Sequence, residues 1–185
     1  MILATRNDHK VREFERLMPG TRIDPLPEAA PTPDETGSTY AENALIKARS
    51  AAAFTGRAAF ADDSGIEAEA LDGRPGVYTA RFAGPEATDG ENLQKLHREA
   101  PAGSRLKYVC VIAYVTPEGH EHLFEGACEG TLAEAPNGSG GFGYDPLFIP
   151  DEHPDRTMAE LTDDEKDAIS HRGRAARGLL AWLTR

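Results

Sequence analysis

"MILATRNDHKVREFERLM", residues 1–18, decides the fold class, because a short apolar run passes through a polar loop into a segment with helical spacing. Residues 1–5 read as a strand and "RNDHK" as a loop, while Val11, Phe14, Leu17 and Met18 recur on one helix face. Strand, loop, helix is the opening unit of an α/β protein. The loop delivers the chain to a helix N-terminus, whose free N–H groups favour an anion, and Lys10 adds a full charge there. It lacks the Gly-rich pattern of an ordinary phosphate loop, so by itself it does not specify a nucleotide.

Outward from this unit, "PGTRIDPLPEAAPTPDETG" (19–37) is rich in Pro and acid and predicts an irregular connection with at most one short strand. In "STYAENALIKARSAAAFTG" (38–56), Thr39 and Glu42 fit a capping box, Tyr40, Ala44, Leu45, Ala48 and Ala52 form an apolar stripe, and Gly56 is a stop signal. Asn43 and Lys47, four apart, share a face of that helix. "AFADDSG" (59–65) reads as a buried strand running into a tight turn at Ser64 and Gly65. A further helix is expected from near Asp89, then a hairpin about "TPEG" (116–119), then a last helix, "HRGRAARGLLAWL", capped by Ser170. Strands interleaved with helices, plus one hairpin, imply a mixed sheet in a single domain spanning 1–185.

A net charge of −11 repels a polyphosphate backbone and argues against a nucleic-acid polymer as partner, while leaving room for a local cationic pocket. Cys110 and Cys128 have neither zinc-site spacing nor the density of a disulfide scaffold. The "HEH" of His120 and His122 lacks a third ligand at a usual spacing. With no secretory leader pattern and no apolar run near membrane-spanning length, the expectation is a cytoplasmic protein with no membrane partner.

The chemistry-bearing stretches fall at junctions between elements. Adjacent Asp62 and Asp63 could gather a divalent cation, orient a water or cap a turn. With Asp34 and Glu35 they supply enough oxygen for one Mg²⁺. "PNGSGGFGYDPLF" (136–148) combines Gly-rich backbone with the flat faces of Phe142 and Tyr144 and the acceptor Asp145; a hairpin loop with incidental aromatics is the plain alternative. "EKDAISHRGRA" (165–175) brings Lys166, His171 and Arg172 to the N-terminal end of the last helix, where cations oppose the helix dipole unless a ligand compensates. A cation set of Lys10, Lys47 and Lys166, an acidic metal-holding pair and a flat hydrogen-bonding slot together suit a nucleoside polyphosphate with Mg²⁺.

On "ILATRNDHK", "TYAENALIKA", "ADDSG", "GRPGVYTARFAG", "GGFGYDPLF", "AEL" and "EKDAISHRGRA", the chain resembles the inosine triphosphate pyrophosphatase family over nearly its whole length. The resemblance implies an elongated central mixed sheet flanked by helices, two lobes around an active-site cleft, a homodimer, Mg²⁺ dependence, and cleavage of XTP, ITP or dITP to the monophosphate and pyrophosphate. By motif it assigns the phosphate loop to Thr5, Arg6, Asn7, Asp8, His9 and Lys10, with Asn43 and Ser64 also contacting substrate. Asp63 would be proton acceptor and metal ligand, with Asp62 beside it, and the upstream metal ligand falls on Asp34 or on Glu35. Phe142, Gly143, Tyr144 and Asp145 with His171 and Arg172 would hold the base, and Lys47 and Lys166 the phosphates. His9 stands where a small residue is usual, and Thr79 where Ser is common. A pyrophosphatase for modified pyrimidines would keep the phosphate and metal residues but change the slot, and a nucleotide sensor would not need the water-activating acid.

Overall fold

Asn7 sets the start of the first helix: its side-chain oxygen accepts from the backbone N–H groups of His9 (2.9 Å) and Lys10 (3.2 Å). The computed structural model describes residues 1–185. Strand β1 (Ile2–Leu3) is followed by α1 (Asp8–Leu17) and by β2 (Asp24–Pro25), the one short strand of the Pro-rich connection. Helix α2 (Tyr40–Thr55) starts at the Thr39–Glu42 capping box and stops at Gly56 in the left-handed conformation, as its sequence requires. There follow β3 (Ala59–Ala68), α3 (Asp89–Glu99), β4 (Arg105–Val115), β5 (Glu121–Leu132), β6 (Phe148–Pro150), α4 (Asp163–Ile169) and α5 (His171–Leu183).

The strands form one sheet in the order β2-β1-β3-β4-β5-β6. β1 pairs in parallel with β2 and with β3, and β5 is antiparallel to β6, so the sheet is mixed and the α/β expectation is borne out. β4 and β5 are the expected hairpin, closed by Thr116 N–H donating to the His120 carbonyl. No helix is long and apolar enough to cross a membrane.

The turn expected at Ser64 and Gly65 is not there. β3 runs unbroken through "DDSG" to Ala68, and the chain turns only afterwards, through Glu69–Leu71 to Asp72, which is left-handed (φ 54°). Asp, Ser and Gly favour turns through local hydrogen bonding and backbone freedom, but β3 is carried on past its pairing with β1 at Ala59 and Phe60 by its other neighbour, β4, and Thr79 Oγ1 accepts from the Ile66 N–H at 2.9 Å, which outweighs that preference. The "DG" of Asp72 and Gly73 was the true punctuation. Helix α4 was also missed, although Thr162 and Glu165 spell its capping box.

By contacts the chain divides into two units, Met1–Asp63 with Cys110–Gly126 and Arg174–Arg185, and Ser64–Val109 with Ala127–Gly173. In the first, α2 lays Ala44, Ala48, Ala51 and Ala52 against Ile2, Ala59 and Ala61. Leu3 and Phe60 pack instead with Phe14 of α1 and Ala175, Ala176 and Leu179 of α5. Odd positions of β3 therefore face α2 and even positions face α1, the period of two of a strand. That alternation decides where its two carboxylates go. The second unit is built around Ile66, Leu96, Leu106, Tyr108, Leu132, Leu147, Phe148 and Met158.

Candidate functional site

On β3, Asp62 follows Phe60 toward α1 and Asp63 follows Ala61 toward α2. Lys10 of α1 accordingly lies 2.9 Å from Asp62 Oδ2. Asp63 receives two donors from α2: Lys47 Nζ at 3.0 Å on Oδ1 and Asn43 Nδ2 at 3.2 Å on Oδ2. Both donors come from one helix face because they are four residues apart. Lys47 also lies 2.6 Å from Glu35, so one ammonium joins two carboxylates. Asn43, fully buried, accepts in turn from Gly37 N–H at 2.8 Å, tying the acidic connection to the helix. A Cβ on Gly37 would fall 2.6 Å from Glu42 Cβ and 2.7 Å from Asn43 Oδ1, so this close approach needs glycine.

Burial pushes the Asp63 carboxyl up from its ordinary value; Lys47 and Lys10 pull it down, and Glu35 adds to the rise, so the net direction is up. Burial pulls the Lys47 ammonium down, but Asp63, Asp62 and Glu35 outweigh it and the net direction is up. These residues could hold a hard divalent cation. Asp63 and Glu35 offer hard carboxylate oxygens already facing one cationic atom. Of the two upstream candidates, Glu35 is the one beside Lys47, whereas Asp34 is exposed.

The residues expected to form a phosphate loop serve more local ends than their motif suggests. Asn7 occupies two of the N–H groups that would otherwise be free for an anion, and Thr5 Oγ1 accepts from Asn7 N–H at 3.2 Å. Arg6 is not a free cation: its guanidinium donates to the carbonyls of Pro27, Glu28 and Ala30 and to Thr32 Oγ1, stapling the Pro-rich connection. Asp8 and His9 are exposed, with His9 Nδ1 3.0 Å from Arg12.

The second unit holds the other set. Lys166, expected with the phosphate cations, is buried in an ion pair with Asp145, Nζ to Oδ2 2.7 Å. The same oxygen accepts from Phe142 N–H at 2.9 Å, and Tyr108 OH donates to Oδ1 at 3.1 Å. Gly141 is left-handed (φ 67°), and a Cβ there would collide with Asp145 Oδ2, so its freedom serves the loop's own folding. Phe142 lies under two cations, Lys166 Nζ 5.1 Å and the Arg172 guanidinium carbon 5.7 Å from its centroid. Arg172, buried at the start of α5, donates to Ser64 Oγ at 2.8 Å, and Ser170 Oγ caps that helix by accepting from Gly173 N–H at 3.0 Å. His171 stacks on Tyr108, centroids 4.5 Å apart and 7° from parallel. Tyr144 is buried and donates to the Thr79 carbonyl at 2.8 Å; Gly143 N–H donates to Asp89 at 3.2 Å. His122 packs on Trp182, centroids 4.2 Å apart.

Sequence reasoning missed Gly37, whose signal was a glycine closing the acidic run, and Tyr108, which reads as an ordinary strand aromatic. The arrangement supplies a buried carboxylate able to accept a proton, ammonium groups beside it, hard oxygens for a cation, and a separate set of donors about an aromatic ring.

A family model described as the Ham1 family matches residues 1–182. A dITP/XTP pyrophosphatase of Symbiobacterium thermophilum is 51% identical over 189 residues, covering 99% of this chain and 94% of that protein. Another, from an Exiguobacterium species, is 48% identical over 192 residues, covering 99% and 96%. Among solved structures, a HAM1 protein from Coxiella burnetii superposes with a TM-score of 0.87 at 42% identity, covering 99% of this chain and 97% of that one. The Staphylococcus aureus Ham1 protein gives 0.86 at 38%, with the same coverage.

Proposed function

The chain belongs to the Ham1 family, and from that premise we propose that it hydrolyses non-canonical purine nucleoside triphosphates, XTP, ITP and dITP, to the monophosphate and pyrophosphate, cleansing the nucleotide pool. The observation that carries the chemistry is Asp63, a buried carboxylate held at both oxygens by Lys47 and Asn43. Two donors leave lone pairs of the carboxylate available, and its orientation is fixed before substrate arrives. Asp63 accepts the proton of a water whose oxygen attacks the α-phosphorus; the bond to the β-phosphate bridging oxygen breaks and pyrophosphate departs with that electron pair. Lys10 and Lys47 stabilise the charge that moves onto the leaving group, and Asp62 keeps Lys10 in place. Thr5 and Asn7 shape the loop that carries Lys10. A magnesium ion bound through Asp63 and Glu35 would neutralise phosphate charge and help carry pyrophosphate away.

In the second unit, Arg172 and His171 are donors suited to the O6 acceptor of hypoxanthine or xanthine, and Phe142 supplies a ring face. Adenine presents an amino donor there, and leaving a buried donor unmatched costs about 1–3 kcal/mol, enough for strong rejection when two are mismatched. Lys166 and Asp145 hold the Phe142 loop. The resemblance also implies a cytoplasmic homodimer with one domain per chain; sedimentation velocity tests the dimer. A screen of NTPs and dNTPs with Mg²⁺, with products separated, tests the activity: XTP, ITP and dITP giving monophosphate and pyrophosphate support it, and turnover of none of them overturns it.

A further inference from the structure

Tyr108 is buried on β4, and its ring and its hydroxyl act on two different residues assigned above to base recognition. One face of the ring lies on His171 at 4.5 Å, within 7° of parallel, and Phe148 tilts against the ring at 4.6 Å and 41°. Its hydroxyl donates to Asp145 Oδ1, the oxygen that Lys166 and the Phe142 N–H leave to it. A carboxylate bound at one oxygen can swing about its Cβ–Cγ bond; bound at both, from a lysine on α4, a loop N–H and a tyrosine on β4, it cannot. Asp145 therefore fixes the height of the Phe142 backbone, while the stack fixes the plane of the imidazole.

From this geometry we infer that Tyr108 is a positioning residue for purine discrimination, aligning His171 by ring stacking and the Phe142 loop through Asp145. The inference rests on the proposed pyrophosphatase reading. Tyr108 touches neither the phosphates nor the base in this scheme; it sets the orientation of donors whose match to O6 must be accurate to matter. A hydroxyl in this place is also the one that burial can tolerate, because the phenol is neutral and donates: burial, followed by the charge of Asp145, pushes its ionisation well above the ordinary tyrosine range.

Two variants separate the two functions of the side chain. Tyr108→Phe keeps the ring and its stack and leaves Asp145 short of one donor; Tyr108→Leu removes both. Steady-state hydrolysis of dITP and of dATP with Mg²⁺ is measured for each and for the wild type. For Tyr108→Phe the expected loss in kcat/KM for dITP is about 5–10-fold, mainly in KM, as for one buried hydrogen bond. dATP, whose edge does not match the donors in any alignment, is expected to change little, so the dITP-to-dATP preference narrows by the same factor. For Tyr108→Leu the narrowing is expected to be larger, and should that variant fail to fold, Tyr108→Phe decides alone. An equal fall for both nucleotides would make Tyr108 merely structural, and unchanged kinetics would remove it from recognition; either overturns the inference while the wild-type turnover of dITP still stands. A wild-type protein that hydrolysed no dITP would remove the pyrophosphatase reading and this inference with it.

Discussion

Asp62 and Asp63, adjacent in the chain, face opposite sides of β3, and each carries its own lysine: Lys10 at 2.9 Å from the first, Lys47 at 3.0 Å from the second. The period of two of the strand keeps like charges apart, and α1 and α2 bring a cation to each side. A pair that looks electrostatically costly in sequence is thus divided between two helices.

Asp63→Asn is expected to lower kcat by at least about 10²-fold while nucleotide binding survives, because an amide cannot accept the proton. The amide also sets donor against donor: Asn43 Nδ2 faces Asp63 Oδ2, and Asn43 cannot simply flip, since its oxygen is engaged by Gly37 N–H. A small fall in Tm should accompany the loss of activity. Turnover at the wild-type rate would exclude Asp63 as the base.

Attack at the α-phosphorus makes a separate prediction about bond choice. Hydrolysis of dITP in ¹⁸O-labelled water should place the label in the monophosphate, with unlabelled pyrophosphate as the other product. Label in orthophosphate, with a nucleoside diphosphate left behind, would make the protein a phosphatase.

What was legible in the sequence was what is local. The start and stop of α2 follow from Thr39, Glu42 and Gly56, residues that act within one turn of themselves. The continuity of β3 through Ser64 and Gly65 depends on strands far along the chain, so local turn preference misread it. The same holds for side chains. Nothing near Arg6 in the sequence shows that the carbonyls of Pro27, Glu28 and Ala30 are brought to it, nor anything near Lys166 that Asp145, 21 residues away, is its partner. Residue types suggest the chemistry; the partners of each side chain are set by the fold.

The Lys166–Asp145 pair predicts a non-additive mutant cycle. Both side chains are almost wholly buried, so Lys166→Met leaves a carboxylate in the interior with its counter-ion gone and should cost about 3–5 kcal/mol in urea unfolding. Adding Asp145→Asn removes that charge and should restore much of the loss, although the amide serves Phe142 N–H and Tyr108 less well. Additive losses would mean that the charges are not coupled in the fold.

Acid stability should depend on Glu165, which caps α4 and grips Arg156. Its carboxylate accepts from Arg156 at 2.8 and 3.2 Å and from Thr162 N–H at 2.8 Å. The Arg156 hydrogen bonds, and then the Thr162 backbone bond, bring its pKa down to about 2. In the unfolded chain an ordinary glutamate titrates at about 4.3. The folded state therefore binds the proton less readily than the unfolded one, and the stabilisation is fully present above the unfolded value and lost as pH falls from there through about 2. Glu165→Gln cannot ionise, so its deficit relative to the wild type should be greatest at neutral pH and shrink steadily as the pH is lowered toward about 2. Urea midpoints of both proteins, measured from neutral pH downward, test this. A deficit independent of pH would mean that Glu165 acts only through neutral hydrogen bonds and that its contact with Arg156 contributes nothing ionic.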